Sequence, residues 1–362
     1  MSANRQEIRK GAKDMELTPR KLAILQAIVD EYIMTGMPIG SRTISKREDM
    51  HISPATIRNE MADLEEEGYL VQPHTSAGRI PSDKAYRLYV NMLMRVTALD
   101  EGERNVIKSY FDVKMAELEQ LIDVTATALS ETTMLTSVVM APQFSQMRMK
   151  RVQIVKLTDT LALAIFVMDT GLVRDVPIET PPGLTPEYFE VLSATLSRCV
   201  EDRTPIEAIA EIRSALNDNM QQHKSFLNAI IGAVGKNEHK PGSTKVVFGG
   251  TENIFNHPEY QNVEKAKGFL QLLEKRDGLY NMLRQATDME FTIKIGSENE
   301  IDQLKDMSVV TATYRVGKQK IGSFGVIGPT RMNYAKVISV LSCVGTSMSR
   351  ILEYMLDEDI NK

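Results

Sequence analysis

Four residues in the stretch SPATIRNEMADL have the types and spacing needed to contact the edges of DNA bases. They are Ala55, Thr56, Arg58 and Asn59, and they fall in the first turns of a predicted helix. Arginine can form two hydrogen bonds to guanine, asparagine can form two to adenine, and a threonine methyl can contact a thymine methyl. A small side chain such as that of Ala55 lets the helix backbone approach a surface closely. This pattern indicates base recognition.

The helix that must present these residues has a clear start and a clear buried face. Ser53 stands at the N-cap position and Pro54 at the first helical position, where a missing N–H costs nothing. Ile57, Met61 and Leu64 recur at intervals of four and three, which predicts one apolar stripe. The predicted reading face points the other way. Ser53 joins the predicted DNA contacts because a helix N-terminus attracts phosphate.

Two assignments on this helix have structural alternatives. Thr56 is the third helical residue, and its alternative role is only to support the start of the helix. The alternative for Arg58 is an ion pair with Asp63 or with the acidic cluster at residues 65–67. Arg58 would then be an ordinary solvated residue of the helix surface.

A hairpin with a polar, arginine-bearing tip follows the helix. Residues 69–72 and 79–81 read as two short strands around the sequence HTSAG. Hydroxyl groups and arginines beside a turn glycine are typical phosphate donors, although Thr75 and Ser76 also suit a simple turn, and His74 suits a structural role. The predicted contacts to the DNA backbone or minor groove are Ser41, Arg42, His74, Thr75, Ser76 and Arg79.

The elements before this helix complete a recognisable order. Thr18 and Pro19 open a first helix that Gly36 ends, and Ser41 is placed to cap a second, short helix with Arg42 facing outward. Helix, short extended piece, helix, turn, helix and hairpin is the order of a winged helix-turn-helix domain. The alternative is an ordinary helix–hairpin connection in some other globular domain.

Composition limits the class of protein. The 362 residues suffice for two or three domains, and no apolar run approaches the ~20 residues that span a bilayer. The N-terminus lacks the apolar segment of a secretory signal, and Cys199 and Cys343 stand far apart without a CxxC motif. These features predict a reduced, cytoplasmic chain with no membrane segment, disulfide frame or metal site.

The charge distribution is uneven. The net charge is −5, but residues 1–98 carry 14 lysines and arginines against 13 acidic residues, a net of +1. A weakly positive module on an acidic body suits a DNA-binding protein with few phosphate contacts. It does not suit a protein that coats DNA without specificity.

The remainder of the chain predicts a multidomain α+β protein. A long helix carrying Phe111, Leu118 and Leu129 precedes three strands, an all-helical middle follows, and the chain returns to strands and a final long helix. This order predicts a GAF-like α/β domain with a mainly helical domain inserted in it, the two long helices sharing one sheet face. A break at Asp277 and a capping box from Ser297 to Glu300 are also predicted.

The predicted division has six segments. They are a disordered arm (1–16), a winged-helix DNA-binding domain (17–81), a linker helix (82–100), the first part of the GAF-like domain (101–180), an inserted dimerisation domain (181–285) and the second part of the GAF-like domain (286–362).

Two stretches near the ends resemble one protein family. SPATIRNEMADLEEEGYL with QPHTSAGRIPSDKAYRLYV, and the run from IGSENEIDQL to AKVISVL, are similar to the HrcA family of heat-inducible transcription repressors. The resemblance implies a winged helix, a GAF-like domain and an inserted dimerising domain. It also implies a homodimer that binds a double-stranded inverted repeat upstream of chaperone operons, with activity maintained by the GroE chaperonin.

Two functions other than that of a repressor are alternatives for this sequence. One is a metabolite-sensing transcription regulator that binds a ligand in the GAF-like domain, although no distinctive polar pocket is evident. The other is an enzyme fused to a winged helix, as in biotin ligase repressors. Residues 100–362 contain no recognisable catalytic, metal or nucleotide-loop motif, and the glycine-rich run VGKQKIGSFGVIGP lacks phosphate-loop spacing. No cofactor, metal or catalytic residue is therefore predicted.

Overall fold

The computed structural model describes residues 17–74, 77–112, 118–141, 147–169, 171, 173–215, 224–235, 246–285, 290–316 and 319–360. The predicted disordered arm lies outside these ranges. The N-terminal unit contains three helices and a two-stranded hairpin: α1 (Pro19–Thr35), α2 (Ser41–Ser45), α3 (Pro54–Glu66), β1 (Leu70–Val71) and β2 (Ile80–Pro81). Thr18 caps α1, and Gly36 ends it in the left-handed conformation with φ 63°. Both predicted ends of α1 are therefore confirmed.

A linker segment follows the hairpin. It contains α4 (Asp83–Leu88), which is capped by Ser82 and runs into a π-helical turn at Tyr89–Leu93. Tyr86 and Tyr89 are buried, whereas Val96 lies beyond the turn and is half exposed. The linker is therefore helical only over its first half.

The largest unit is built on one antiparallel sheet of five strands. Its strand order is β7-β3-β10-β9-β8. The strands are β3 (Thr136–Met140), β7 (Val246–Gly249), β8 (Phe291–Ile295), β9 (Met307–Val316) and β10 (Gln319–Pro329).

Helices cover both faces of this sheet. On one face, α6 (Leu118–Thr133) and α12 (Tyr334–Ile360) pack on each other and on the sheet, with α5 (Glu101–Phe111) beside them. This confirms that the two long helices share one face. On the other face, α10 (Val263–Glu274) and α11 (Arg276–Arg284) bury a second core that includes alternate residues of β3.

A second, smaller sheet forms a separate packing unit. Strands β4 (Met149–Lys156), β5 (Leu161–Met168) and β6 (Val173–Glu179) are an antiparallel meander in that order. Three helices accompany it: α7 (Pro186–Val200), α8 (Pro205–Ala215) and α9 (Lys224–Gly235). Helix α7 packs on β4, α9 packs on β6, and α8 packs against both of these helices. The predicted meander and the helices after it are confirmed.

The sheets group the segments differently from the predicted order along the chain. Among the described strands, β4 to β6 pair with one another and with no strand of the large sheet, while β7 joins the five-stranded sheet, and α10 and α11 pack on it. The predicted insertion at residues 181–285 thus takes helices from two packing units and leaves out the small sheet. The division into domains itself stays a prediction.

Three local predictions were wrong. The long helix expected through Phe111 ends there, with Asp112 as its C-cap, and the next described helix, α6, spans Leu118–Thr133. The break before α11 lies at Lys275, because α11 begins at Arg276 and continues through Asp277. Ser297 and Glu300 do not form the predicted capping box. Instead, the Glu298 carboxylate accepts a hydrogen bond from the backbone N–H of Ile295 at 2.9 Å.

Helix α12 has the length and composition of a membrane span over Tyr334–Met355, with a mean hydropathy of 1.3. Half of that segment is buried in the protein. Val340, Leu341 and Val344 are inaccessible because they lie in the core against the sheet. The apolar face of α12 thus serves the core of the large unit.

The N-terminal unit and linker dock on the large unit through polar contacts. The Asp83 carboxylate accepts hydrogen bonds from the backbone N–H and hydroxyl of Ser297 at 2.8 and 2.9 Å. Arg87 pairs with Glu298 and donates to the carbonyl of Ile293. These contacts fix α4 against the end of β8.

A second docking point lies at the C-terminal end of α1. Arg331 pairs with Glu259 and donates to the carbonyl of Ile33 at 3.4 Å. Together with the α4 contacts, this point positions α3 relative to the sheet.

Candidate nucleic-acid interface

Helix α3 is built as the sequence predicts. The Ser53 hydroxyl accepts a hydrogen bond from the backbone N–H of Thr56 at 3.1 Å, so Ser53 is the N-cap. Ile57, Met61 and Leu64 are buried and join the helix to α1 and α2. The opposite face of α3 is therefore free to meet another molecule.

That face carries the predicted base-reading residues. Ala55, Arg58 and Asn59 are exposed, whereas Thr56 is half-buried. The Thr56 hydroxyl lies 2.9 Å from the Ser53 hydroxyl, so it is already engaged in the cap. The Thr56 hydroxyl thus supports the start of the helix. Only the Thr56 methyl group is left for contact with a base.

The acidic end of α3 is neutralised by cations other than Arg58. Lys21 of α1 pairs with Asp63 at 3.2 Å and with Glu67 at 2.6 Å. The hydrogen bond to Glu67 is the main cause of a raised pKa for the Lys21 amine, which keeps it charged. Within the described part of the chain, Arg58 forms no ion pair. Its guanidinium is available at the exposed start of the helix.

Helix α2 differs in one respect from its prediction. Its N-cap is Gly40, and Ser41 is the first helical residue with only 8% of its surface exposed. Ser41 was predicted as a cap and a DNA contact, but its burial leaves little of it accessible to a phosphate. Arg42 is exposed, as predicted, and Lys46 is exposed one turn later.

The hairpin is held by a third extended segment. Ile39 and Arg79 exchange two backbone hydrogen bonds of 2.9 Å, which attaches β2 to the residues just before α2. Gly78 lies so close to this segment that a Cβ atom there would meet the Ile39 carbonyl oxygen at 2.4 Å. A glycine is required at this close approach.

The hairpin tip is only partly described. The His74 side chain is exposed, and its carbonyl accepts a hydrogen bond from Ala77 N–H at 2.8 Å. Thr75 and Ser76, two predicted DNA contacts, lie outside the described residues.

Arg79, another predicted contact, is engaged inside the unit. Its guanidinium pairs with the Glu65 carboxylate of α3, and its side chain is 21% exposed. This contact joins the hairpin to the reading helix across 14 residues of sequence, and no sequence pattern predicted it. Arg79 therefore positions the hairpin at least as much as it offers a charge to DNA.

Lys84 was missed by the sequence analysis. It is exposed at the start of α4, lies over the Tyr69 ring at 4.1 Å and donates to the Glu67 carbonyl at 2.8 Å. Its position just after the hairpin adds a positive charge beside the acidic end of α3. The only sequence signal was the positive balance of residues 69–98, which did not single out this residue.

Outside the N-terminal unit, we looked for metal-binding clusters and ligand clefts among the described residues. Among the described residues, no group of three or more histidine, cysteine or acidic side chains is placed to hold a metal ion. A cleft of about 440 Å³ lies between α12 and the β8 side of the large sheet. It contains Arg315 and Arg350 but also Glu290 and Glu353, so it has no single charge preference.

Comparison with known proteins identifies the family. A family model described as "HrcA protein C terminal domain" matches residues 119–338. The heat-inducible transcription repressor HrcA of Desulforamulus reducens is 39% identical over 343 residues, which cover 94% of this chain and 99% of the relative. The repressor of the same name from Symbiobacterium thermophilum is 42% identical, covering 92% and 98%.

The chain belongs to the HrcA family of heat-inducible transcription repressors. HrcA proteins are regulators of transcription and not enzymes. The resemblance drawn from the two end stretches is confirmed, and the match also covers the middle of the chain.

A solved structure has the same overall fold. A crystal structure described as that of a hypothetical protein aligns with a TM-score of 0.61 at 23% identity, covering 94% of this chain and 100% of that one. The mixed helix and sheet architecture predicted for this HrcA chain is therefore confirmed at the level of fold class.

Proposed function

We propose that this HrcA protein represses transcription by binding operator DNA through the exposed N-terminal face of α3. The observation that carries this proposal is the state of Arg58 and Asn59. Both are exposed at the start of α3, and three of the acidic residues that would otherwise attract Arg58 (Asp63, Glu65 and Glu67) are paired with Lys21 or Arg79. These two side chains can thus reach the edges of guanine and adenine.

Residues 17–81 act, in this proposal, as a winged helix-turn-helix. Helix α3 enters the major groove, α2 crosses the backbone with Arg42, and the hairpin at His74 to Arg79 contacts the backbone or minor groove. The order of elements and the attachment of β2 to Ile39 support this assignment.

The large unit is proposed to be GAF-like, interrupted by an inserted dimerising unit. The packing favours placing that insertion at about residues 147–235, where β4 to β6 and α7 to α9 share a core. In a homodimer, two α3 helices related by a two-fold axis would meet successive major grooves roughly 34 Å apart. The operator is then an inverted repeat, and the family resemblance supports a position upstream of chaperone operons.

The family resemblance supports control by the GroE chaperonin as part of this proposal. Chaperonin would raise the fraction of repressor in its binding-competent form, and heat stress would lower that fraction by diverting chaperonin to unfolded clients. The purified repressor should then lose operator binding on mild heating and recover it when chaperonin and ATP are added. An active fraction that chaperonin leaves unchanged at every temperature would rule out this mechanism.

Binding to a labelled inverted-repeat duplex at a stated salt concentration tests the function. We expect specific binding at least ~10³-fold tighter than binding to a scrambled duplex of the same composition. Equal affinity for the two duplexes, with the chain shown to be folded and chaperonin added, would reject the proposed function.

A further inference from the structure

One side of helix α11 borders a small cavity in the large unit. The cavity lies between this helix and the loop that joins β8 to β9, which we call the β8–β9 loop (residues 296–306). Its volume is about 190 Å³. Pockets for drug-sized ligands measure roughly 300–1,000 Å³, so this cavity suits a smaller metabolite. The residues of α11 and its C-cap that line it are three or four positions apart: Gly278, Asn281, Met282 and Gln285.

Gly278 keeps the cavity open on the α11 side. A Cβ atom at this position would lie 3.7 Å from the Cδ1 atom of Ile301 on the β8–β9 loop, which is an ordinary contact distance. Alanine therefore fits there, whereas a longer side chain would extend into the cavity. The opposite side of α11 buries Leu279 and Leu283 in the core, so the helix cannot turn away from the loop.

The cavity has both charged and apolar walls. Lys294 of β8 and Glu300 of the β8–β9 loop form an ion pair, with Nζ 3.1 Å from Oε1. The Glu300 side chain is 73% exposed, and an ion pair with so exposed a member contributes little to stability. A ligand can therefore separate the two charges at little cost. The apolar part of the lining consists of Met282, Ile301 and Leu304.

This combination of walls matches a free α-amino acid with an aliphatic side chain. Such a molecule carries a carboxylate and an ammonium group on one carbon atom, so it can pair with Lys294 and Glu300 at the same time. Its side chain would be removed from water by the apolar wall. Asn281 and Gln285 are exposed and can add amide hydrogen bonds. A simple anion or a simple cation would satisfy only one member of the ion pair.

The β8–β9 loop also receives the linker helix of the N-terminal unit. The docking contacts of α4 reach Ser297 and Glu298, and Asn299 follows them directly. Asn299 is buried, and its Nδ2 atom donates hydrogen bonds to the carbonyls of Gly296 and Leu304, each at 3.0 Å. The docking residues and the wall of the cavity thus belong to one hydrogen-bonded loop.

We propose that this cavity binds a free α-amino acid with an aliphatic side chain, and that the bound molecule stabilises the β8–β9 loop and the docking of α4 on it. The ligand carboxylate pairs with Lys294, its ammonium group pairs with Glu300, and its side chain contacts the apolar wall. The ligand then connects α11 to the loop, which couples the cavity to the N-terminal unit. This inference goes beyond the proposed repressor function, because it assigns a small-molecule effector to the large unit.

Isothermal titration calorimetry of the full-length protein with L-leucine, without DNA, tests the ligand class. We expect one site per chain. Isocaproate lacks the ammonium group and isoamylamine lacks the carboxylate, so each should bind at least ~10-fold more weakly than leucine. Glycine, which lacks the aliphatic side chain, should also bind at least ~10-fold more weakly. No binding at millimolar leucine, or equal binding of leucine and isocaproate, would overturn the proposal.

Two pairs of variants test the location of the site. Gly278→Leu should abolish leucine binding by filling the cavity, whereas Gly268→Leu on α10, which has open space around the new Cβ, should not. Lys294→Met should weaken binding at least ~10-fold. Lys305→Met is its control, because Lys305 is an exposed cation of the same loop that pairs with Asp302. Circular dichroism melts verify folding. Leucine affinity that survives in folded Gly278→Leu and Lys294→Met would place the binding elsewhere and overturn the proposal.

Hydrogen exchange tests the coupling to α4. Saturating leucine should slow exchange over residues 83–93 in the wild type and leave it unchanged in Gly278→Leu. Leucine that binds in the cavity without slowing this exchange would overturn the proposed coupling. Since binding and exchange are both measured without DNA, a chain that binds leucine but not the operator contradicts the proposed function and leaves this inference standing.

Discussion

The carboxylate of Glu65 on the reading helix holds the guanidinium of Arg79 on the hairpin, with the same oxygen 2.8 Å from Nε and 2.7 Å from Nη2. Both side chains are partly exposed, so the pair contributes modestly to stability, about 0.2–1 kcal/mol. Its main role in this proposal is to position the elements that contact DNA. It fixes the angle between the hairpin and α3, the two elements proposed to contact DNA.

Glu65→Gln should therefore weaken operator binding by roughly 3-fold to 10-fold, corresponding to about 0.6–1.4 kcal/mol. Loss of one negative charge near DNA should by itself strengthen binding. Glu66→Gln, at an exposed position of the same helix, measures that general effect and should not weaken binding. Fluorescence anisotropy with labelled operator gives both affinities. Equal changes in the two variants would show that the Glu65–Arg79 pair has no positioning role.

Arg58→Ala and Asn59→Ala should each cost about 1–3 kcal/mol in operator binding, because each removes a side chain able to make two hydrogen bonds to one base. Binding to a scrambled duplex should change much less. Arg284→Ala, which removes an exposed arginine from α11, controls for net charge. Competition with single-base operator variants should show relaxed preference at one position per half-site. Parallel losses on operator and scrambled DNA would assign Arg58 to phosphate contact instead.

Gly78→Ala should destabilise the N-terminal unit by roughly 1–3 kcal/mol, because its Cβ would lie 2.4 Å from the Ile39 carbonyl oxygen. The backbone must move, which would break the Ile39–Arg79 hydrogen bonds. Gly268→Ala in α10 has open space around the new Cβ and should stabilise the chain by up to ~1 kcal/mol. Urea unfolding measures both. An unchanged midpoint for Gly78→Ala would mean that the hairpin shifts without cost.

Gly296→Ala should loosen the docking of α4 on the large unit. Gly296 has φ 52°, and a Cβ there would come within 2.3 Å of the Asp83 carboxylate. Gly183→Ala imposes a comparable φ of 85° but has no atom within 4 Å, so it separates backbone strain from lost docking. Hydrogen exchange over residues 83–93 should accelerate in Gly296→Ala only. Faster exchange in both variants would attribute the effect to strain.

Stability should decrease as the pH falls below about 6.5. Burial lowers the pKa of His257, and the nearby Arg331 lowers it further, so the folded state favours the neutral imidazole. The unfolded state binds the proton first, near its ordinary pKa of 6.5, and stability is lost from there down to the lower folded-state pKa. Among the described residues, none forms a hydrogen bond with the buried Nε2 atom of His257.

His257→Gln should reduce the fall of Tm between pH 7 and pH 5.5, whereas His51→Gln, at an exposed position, should not. Differential scanning calorimetry at matched ionic strength makes the comparison. At lower pH, protonation of Glu259 further reduces the stability of the folded state. Burial raises its pKa, but hydrogen bonds and charge from Arg331 outweigh this and leave the pKa below 4.5. Identical pH slopes for wild type and His257→Gln would exclude His257 as the cause.

Local patterns predicted much of the reading helix and the strands. Ser53 and Pro54 fixed the start of α3, and the spacing of Ile57, Met61 and Leu64 fixed its buried face, because caps and periodicity act within a few residues. The same reasoning located β4 to β6 and α12. It misjudged Ser41, whose burial arises from packing between helices and not from its neighbours in sequence.

Sequence patterns alone are enough to predict the family, the elements of the N-terminal unit and the residue types offered to DNA. Which charges are free depends on the tertiary structure. Lys21 and Arg79 reach the acidic end of α3 from 46 and 14 residues away, and that pairing leaves Arg58 available. It also decided that β7 joins the large sheet while β4 to β6 form their own. Strand partners and ion pairs depend on distances across the fold, which local propensity does not encode.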